Sequence, residues 1–116
     1  MEQQQKPCGF MPDAADLDTL SELHKAMGDF TRMKILWTLM NREHCVNELT
    51  AQMNMSESAI SHQLKVLKLA RLVRSHKTGK NVFYSLCDDH IKWILEETYA
   101  HISERQKAQP CLGCAR

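Results

Sequence analysis

The chain has 116 residues, of which 43% are hydrophobic and 25% charged, with a formal net charge of +1. That length predicts one small domain and excludes an enzyme with separate cofactor and substrate domains. No apolar run approaches the roughly 20 residues that span a bilayer, and the glutamine-rich start Met1 to Phe10 lacks the apolar centre of a secretory signal. A cytoplasmic protein with no membrane partner is expected. In that setting five cysteines, an odd number, read as free thiols or metal ligands rather than disulfides.

Residues 1–15 contain Pro7, Gly9 and Pro12 with little periodicity, and read as a flexible arm. A first helix is predicted over Leu17 to Met27, capped by Asp16, with Leu20, Leu23 and Met27 on one face. Gly28-Asp29 breaks it. A second helix, Thr31 to Met40, turns Ile35, Leu36 and Leu39 inward. A short third, Val46 to Met53, ends at a tight turn, Asn54-Met55. Ser56 then caps a fourth helix over Glu57 to about Ala70, and Glu57 suits its positive end.

This fourth helix has two faces. Ile60, Leu64 and Leu67 fall within about 60° of one another, while Ser58, Ser61, His62 and Lys65 lie opposite. A short helix, a brief turn and a longer helix with small polar residues outward is the pattern of a helix-turn-helix that reads DNA. The serines allow close approach to base edges, and His62 and Gln63 reach further. Two β-patterned runs follow, Leu72 to His76 and Asn81 to Leu86, around a basic turn Lys77-Thr78-Gly79-Lys80. That hairpin reads as a wing, with Lys77 and Lys80 placed for phosphate contact. From Ser58 to Cys87 the chain carries Lys65, Lys68, Arg71, Arg74, Lys77 and Lys80 and no acidic residue, so a basic footprint hides inside a near-neutral chain.

The last helix is predicted from about Asp88 to Glu104, with Ile91, Ile94, Leu95, Thr98 and Ile102 as its apolar stripe. It also carries Asp88, His90, His101 and Glu104. His90 and His101 share a face, offset by about 20°, but stand roughly 16 Å apart along the axis, too far for one ion. Glu104 lies one turn after His101 and can chelate with it. Asp88 can meet His90 only from the capping position at the helix start. Each chain therefore offers a half-site at each end. An antiparallel pair of these helices would close two equivalent sites per dimer, with the first and last helices as dimer elements. Two imidazoles and two carboxylates suit Zn(II), with Co(II) as substitute. The same pattern also reads as capping and surface polarity, with Asp88 as N-cap and Glu104 solvated.

From about Leu20 to Glu104 the chain resembles the ArsR/SmtB family of bacterial metal-sensing winged-helix repressors. The resemblance is carried by Ala26-Met27-Gly28-Asp29-Phe30-Thr31-Arg32-Met33-Lys34-Ile35-Leu36, by Cys45-Val46-Asn47-Glu48-Leu49, by Ser56-Glu57-Ser58-Ala59-Ile60-Ser61-His62-Gln63-Leu64, and by the spacing Asp88-x-His90, ten residues, His101-x-x-Glu104. It implies a mainly α fold with a small β-hairpin, a winged helix-turn-helix dimer through its first and last helices. It also implies a repressor that holds an inverted-repeat operator in the apo form. Metal binding would release it and derepress efflux or sequestration genes. The resemblance favours the four-ligand site, with two Zn(II) per dimer and Cd(II) or Co(II) as further effectors. It further implies that the second ring nitrogen of His101 donates to a main-chain carbonyl near Arg71, coupling metal to the recognition helix. Two departures stand out. Phe30 replaces the family's usual proline, and Asn47 replaces the second cysteine of the Cys-x-Cys pair found in cadmium and lead sensors.

The expected organisation is an arm (1–15), a winged helix-turn-helix domain (16–105) and a tail (106–116) bearing Cys111-x-x-Cys114. Cys8 and Cys45 are a candidate second metal or redox site. A thiol-based sensor of redox or soft metals using Cys8, Cys45, Cys111 and Cys114 is the alternative function. A zinc hydrolase needs an open coordination position. Four protein ligands close the site, so no enzyme is expected. His24, His44 and His76 read as surface or capping residues.

Overall fold

A computed structural model describes residues 9–107, and each of its four longest helices starts where a side chain takes over an orphan amide. Helix α1 spans Ala14–Met27; the Asp13 carboxylate accepts from the Asp16 amide at 2.9 Å. The cap is thus Asp13, three residues before the expected one, and α1 begins inside the span expected to be arm. Asp16 sits in the first turn, where its charge still favours the positive helix end. Asp29 caps α2 (Phe30–Leu39), accepting from the Arg32 amide at 3.0 Å. Helix α3 covers Val46–Met53 and stops at Asn54, which takes the left-handed conformation (φ 56°) that asparagine tolerates. Ser56 caps α4 (Glu57–Leu69), its hydroxyl accepting from the Ala59 amide at 3.1 Å.

Helix α4 ends in a Schellman reversal. The amides of Arg71 and Leu72 reach back to Lys68 and Leu67 at 3.0 and 2.9 Å, with Arg71 at φ 63°. The chain then forms strands β2 (Val73–Thr78) and β3 (Asn81–Leu86), paired antiparallel from Val73↔Leu86 to Thr78↔Asn81. The strands run closer to the tip than predicted, leaving only Gly79 and Lys80 as the turn. Gly79 has φ 63°, which fits a two-residue hairpin with glycine first. A two-residue strand that the sequence reading missed, β1 (His44–Cys45), joins the outer edge of β3, so the sheet order is β1-β3-β2. Helix α5 covers Asp89–Lys107.

The core lies under α4. Ile60, Leu64 and Leu67 are fully buried against Ile35 and Leu36 of α2, Leu49 of α3, Leu72 and Val73. Burial of each such side chain is worth about 1.5–3 kcal/mol, which fixes the recognition helix on the domain. Ile91 and Leu95 dock the first half of α5 on this core. Ile94 packs half-buried against it, while Thr98 is exposed and Ile102 is 53% exposed. Leu20 is likewise exposed on α1, beside half-buried Leu23 and buried Met27. Among the described residues, no helix is long and apolar enough to cross a membrane.

Candidate functional site

Two surfaces carry chemistry. On the first, α4 presents Ser58, Ser61, His62 and Lys65, all exposed. Ser58 lies 3.4 Å from the capping hydroxyl of Ser56, so the small residues cluster at the helix N-terminus, the end that enters a groove in proteins of this type. At the wing, Lys77 and Lys80 are exposed. Lys68 is held at the wing base, its ammonium donating to the Ser75 hydroxyl at 2.7 Å. Asn47, Glu57, Lys80 and Asn81 line a cleft of about 300 Å³ between α3, α4 and the wing tip, and Cys45 borders it. Gln63 is placed differently from its exposed neighbours. It is half-buried, and its Oε1 accepts from Arg32 Nη1 of α2 at 3.1 Å.

On the second surface, α5 separates its polar residues into two ends. Asp88 immediately precedes the helix, and its Oδ1 accepts from the His90 and Ile91 amides at 2.9 and 3.3 Å. That capping position brings the same oxygen to 3.5 Å from His90 Nδ1, so two residues that could not face each other inside a helix do converge here. Both side chains remain about half exposed. His101 and Glu104 lie at the far end, both exposed. Among the described residues no group of three or more His, Cys, Asp or Glu could hold a metal within one chain. The four expected ligands therefore do not meet within one chain: Asp88 and His90 converge at one end of α5, and His101 and Glu104 lie at the other. The exposed apolar residues of α5, Trp93, Tyr99 and Ile102, lie between and beside them.

Main-chain bonds link the two surfaces. The Cys87 amide, one residue before Asp88, donates to the Leu72 carbonyl at 3.0 Å, within the segment that reverses α4. Arg71, expected near the coupling bond, is the left-handed residue of that reversal. Its side chain is exposed.

The thiols fall into two groups. Cys45 and Cys87 are free and half-buried. Burial, and then the Asp88 carboxylate, push the Cys87 thiol up, so it stays protonated at neutral pH. Cys45 precedes α3, and its amide donates to Glu48 Oε1 at 3.0 Å. That bond, helped by Arg42, holds the Glu48 carboxyl below the usual range. Cys8, Cys111 and Cys114 lie outside the described residues, as does most of the expected tail. Of the histidines expected at the surface, His24 bonds back to the Leu20 carbonyl. His76 stacks on Phe83 and lies 3.5 Å from Glu43. His44 departs from that expectation: it is buried, with Nδ1 2.9 Å from the Arg42 carbonyl, because β1 pairs its backbone with Tyr84 of β3. Sequence reasoning missed the bond from Arg32 to Gln63, since the two lie 31 residues apart.

Comparison with known proteins gives a consistent picture. The family model described as "Bacterial regulatory protein, arsR family" matches residues 29–75, from the cap of α2 to the start of the wing. The chain is 38% identical over 96 residues to the "Transcriptional repressor SmtB homolog" of Synechocystis sp., covering 80% of this chain and 73% of that one. It is 35% identical over 86 residues to the "Cadmium resistance transcriptional regulatory protein CadC homolog" of Staphylococcus aureus, covering 73% and 71%. Among solved structures it is similar to HlyU from Vibrio cholerae, with a TM-score of 0.70 and 31% identity over 76% of this chain and 96% of that one.

Proposed function

The chain belongs to the arsR family of bacterial regulatory proteins, and from that premise we propose that it is a homodimeric transcriptional repressor released from operator DNA by Zn(II). The observation that carries this reading is the division of α5. Asp88 and His90 converge at one end, His101 and Glu104 stand at the other, and among the described residues Trp93, Tyr99 and Ile102 stay more than half exposed, Tyr99 with the edge of Trp37 against it. A second copy laid antiparallel would cover Trp93, Tyr99 and Ile102 and bring each start against a partner's end. Exposed Leu17 and Leu20 on α1 would extend the same interface.

The donor set fits zinc. Two imidazoles and two carboxylates, two from each chain, match a closed tetrahedral nitrogen-oxygen site, and softer ions gain less without thiolate. Asp88 is held by the helix amides and His90 by its place one residue into the helix, so this half is preorganised. Zn(II) supplies the cross-link; what the chain supplies is its consequence. Tying two α5 helices together selects one subunit arrangement, and the distance between the two α4 helices follows it. Two features of each subunit support transmission: the Cys87–Leu72 main-chain bond beside Asp88 and the reversal at Arg71. A bond from the free nitrogen of metal-bound His101 to the main chain near Arg71 would add a further link.

The test is DNA binding by the full chain, followed by fluorescence anisotropy on a duplex selected by the protein from a randomised pool. Zn(II) should lower affinity by about 5–150-fold. Cd(II) and Co(II) should act at higher free concentrations, and a mild thiol oxidant should act on DNA binding weakly or not at all. Release by oxidant with no response to Zn(II) would overturn the reading in favour of a thiol sensor.

A further inference from the structure

Arg32 lies at the junction of α1, α2 and α4. Helix α1 ends at Gly28, whose amide bonds to His24 and Lys25, so no following amide reaches the Ala26 carbonyl. Arg32 supplies the missing donor. Its Nε donates to Ala26 O at 2.8 Å, a charge-assisted bond at the negative end of α1. From there the guanidinium reaches across to α4, where Nη1 donates to Gln63 Oε1. Arg32 therefore bonds an element of the proposed dimer interface and the recognition helix at once. The described residues leave a cleft of about 440 Å³ beside it, lined by Lys25, Ala26, Val66 and Ala70 among others. Ala26 and Met27 pack the end of α1 onto the core, and the polar link adds a directional contact to α4 beside this cleft.

The bond also fixes which way round the Gln63 amide stands. Arginine has donors and no acceptor, so only the oxygen of Gln63 can face it. The amide nitrogen keeps its two donors and the oxygen one lone pair for DNA. Bidentate reading of adenine needs the oxygen and the nitrogen side by side on one base edge. Both remain available to Gln63, but only in the one orientation that its bond to Arg32 allows.

We propose that Arg32 is a positioning residue for DNA reading: it fixes the orientation of the Gln63 amide and anchors that residue to the end of α1. Dimer rearrangement that moves α1 then moves Gln63 relative to the groove. The inference rests on the DNA-binding reading above and says how one residue of that face is aimed.

A double-mutant cycle on the full-length protein tests it. The wild type, Arg32→Met, Gln63→Met and the double variant are titrated onto the duplex selected by the wild type and onto a scrambled duplex of equal length. Thermal unfolding of each is followed by circular dichroism. Each single change should cost about 10-fold on the selected duplex and less than about twofold on the scrambled one. The double should cost no more than the larger single, because both changes remove the Arg32–Gln63 bond. Selection repeated with Arg32→Met should give a consensus with weakened preference at the position Gln63 reads and the other positions unchanged. If Arg32→Met does not fold, Arg32→Lys completes the cycle, since its ammonium reaches one acceptor at a time. Additive losses of about 100-fold, or equal losses on both duplexes, would overturn the inference while leaving the regulator reading intact. A wild type that selects no sequence would overturn both.

Discussion

Subunit complementation follows directly from the geometry of α5. His90 and His101 are separated by three helical turns, roughly 16 Å, whereas two ligand atoms on one zinc ion lie about 3–4 Å apart. If each site takes Asp88 and His90 from one chain and His101 and Glu104 from the other, His90→Ala and His101→Ala each damage both sites of a homodimer. A mixed dimer behaves differently. One of its sites carries both lesions. The other draws Asp88 and His90 from the His101→Ala chain, and His101 and Glu104 from the His90→Ala chain, and so is whole. Random mixing makes about half of the dimers mixed, each with one intact site. The mixture should therefore hold about a quarter of the wild-type number of tight sites, although neither parent holds any.

The two variants would be unfolded together in urea, refolded, and titrated with Zn(II) against a chromophoric chelator. The chelator is chosen to strip three-ligand sites, given that loss of a direct ligand should exceed the roughly 10–100-fold cost of losing an outer partner. Co(II) absorption gives a second readout, since only the restored site should show the full tetrahedral band. A mixture that binds no more than the mean of the two separate variants would refute the interchain site. It would place each end of α5 in a weak site of its own.

Three further outcomes are expected. Ser56→Ala removes the hydroxyl that caps α4 and should cost about 1 kcal/mol, lowering Tm by about 4–8 °C at a fixed protein concentration; an unchanged melt would show that the Ala59 amide finds another acceptor. Glu48 has a folded-state pKa below its ordinary value, so its contribution is present above that value and is lost as pH falls through the lower, folded-state one. Comparing chemical denaturation of Glu48→Gln and wild type from about pH 6 to about pH 3 should therefore show the gap between them closing with acid, and a gap independent of pH would refute the assignment. Lys80→Ala should weaken selected and scrambled DNA alike and reduce the slope of log affinity against log salt by about 1; a loss confined to the selected duplex would mean Lys80 reads a base.

How much of this was legible in the sequence depended on whether the signal was local. Helix α3 and strand β3 run over the residues predicted, because Asn54, Ser56 and Gly79 announce turns and caps through their own chemistry. The start of α1 was misplaced because Asp13 and Asp16 are both competent caps, and only the fold shows which one meets an amide. Strand β1 has two residues, too few for any alternation to register, and with it went the burial of His44. The pairing of Asp88 with His90 was legible only as a condition, that Asp88 cap the helix, and it does. Periodicity behaved the same way on α5. It marked Ile91, Leu95 and Ile102 alike as apolar, yet among the described residues the first two are buried and the third is 53% exposed. A stripe states that a face prefers to be dry, and nothing in its spacing says which molecule dries it. The Arg32–Gln63 bond lies beyond both kinds of signal, since it joins side chains from two helices through a donor preference that no local pattern encodes. The residues that make each element were therefore readable one by one, while those that connect α1 to α4, and α4 to the start of α5, became visible only when the elements were set against each other.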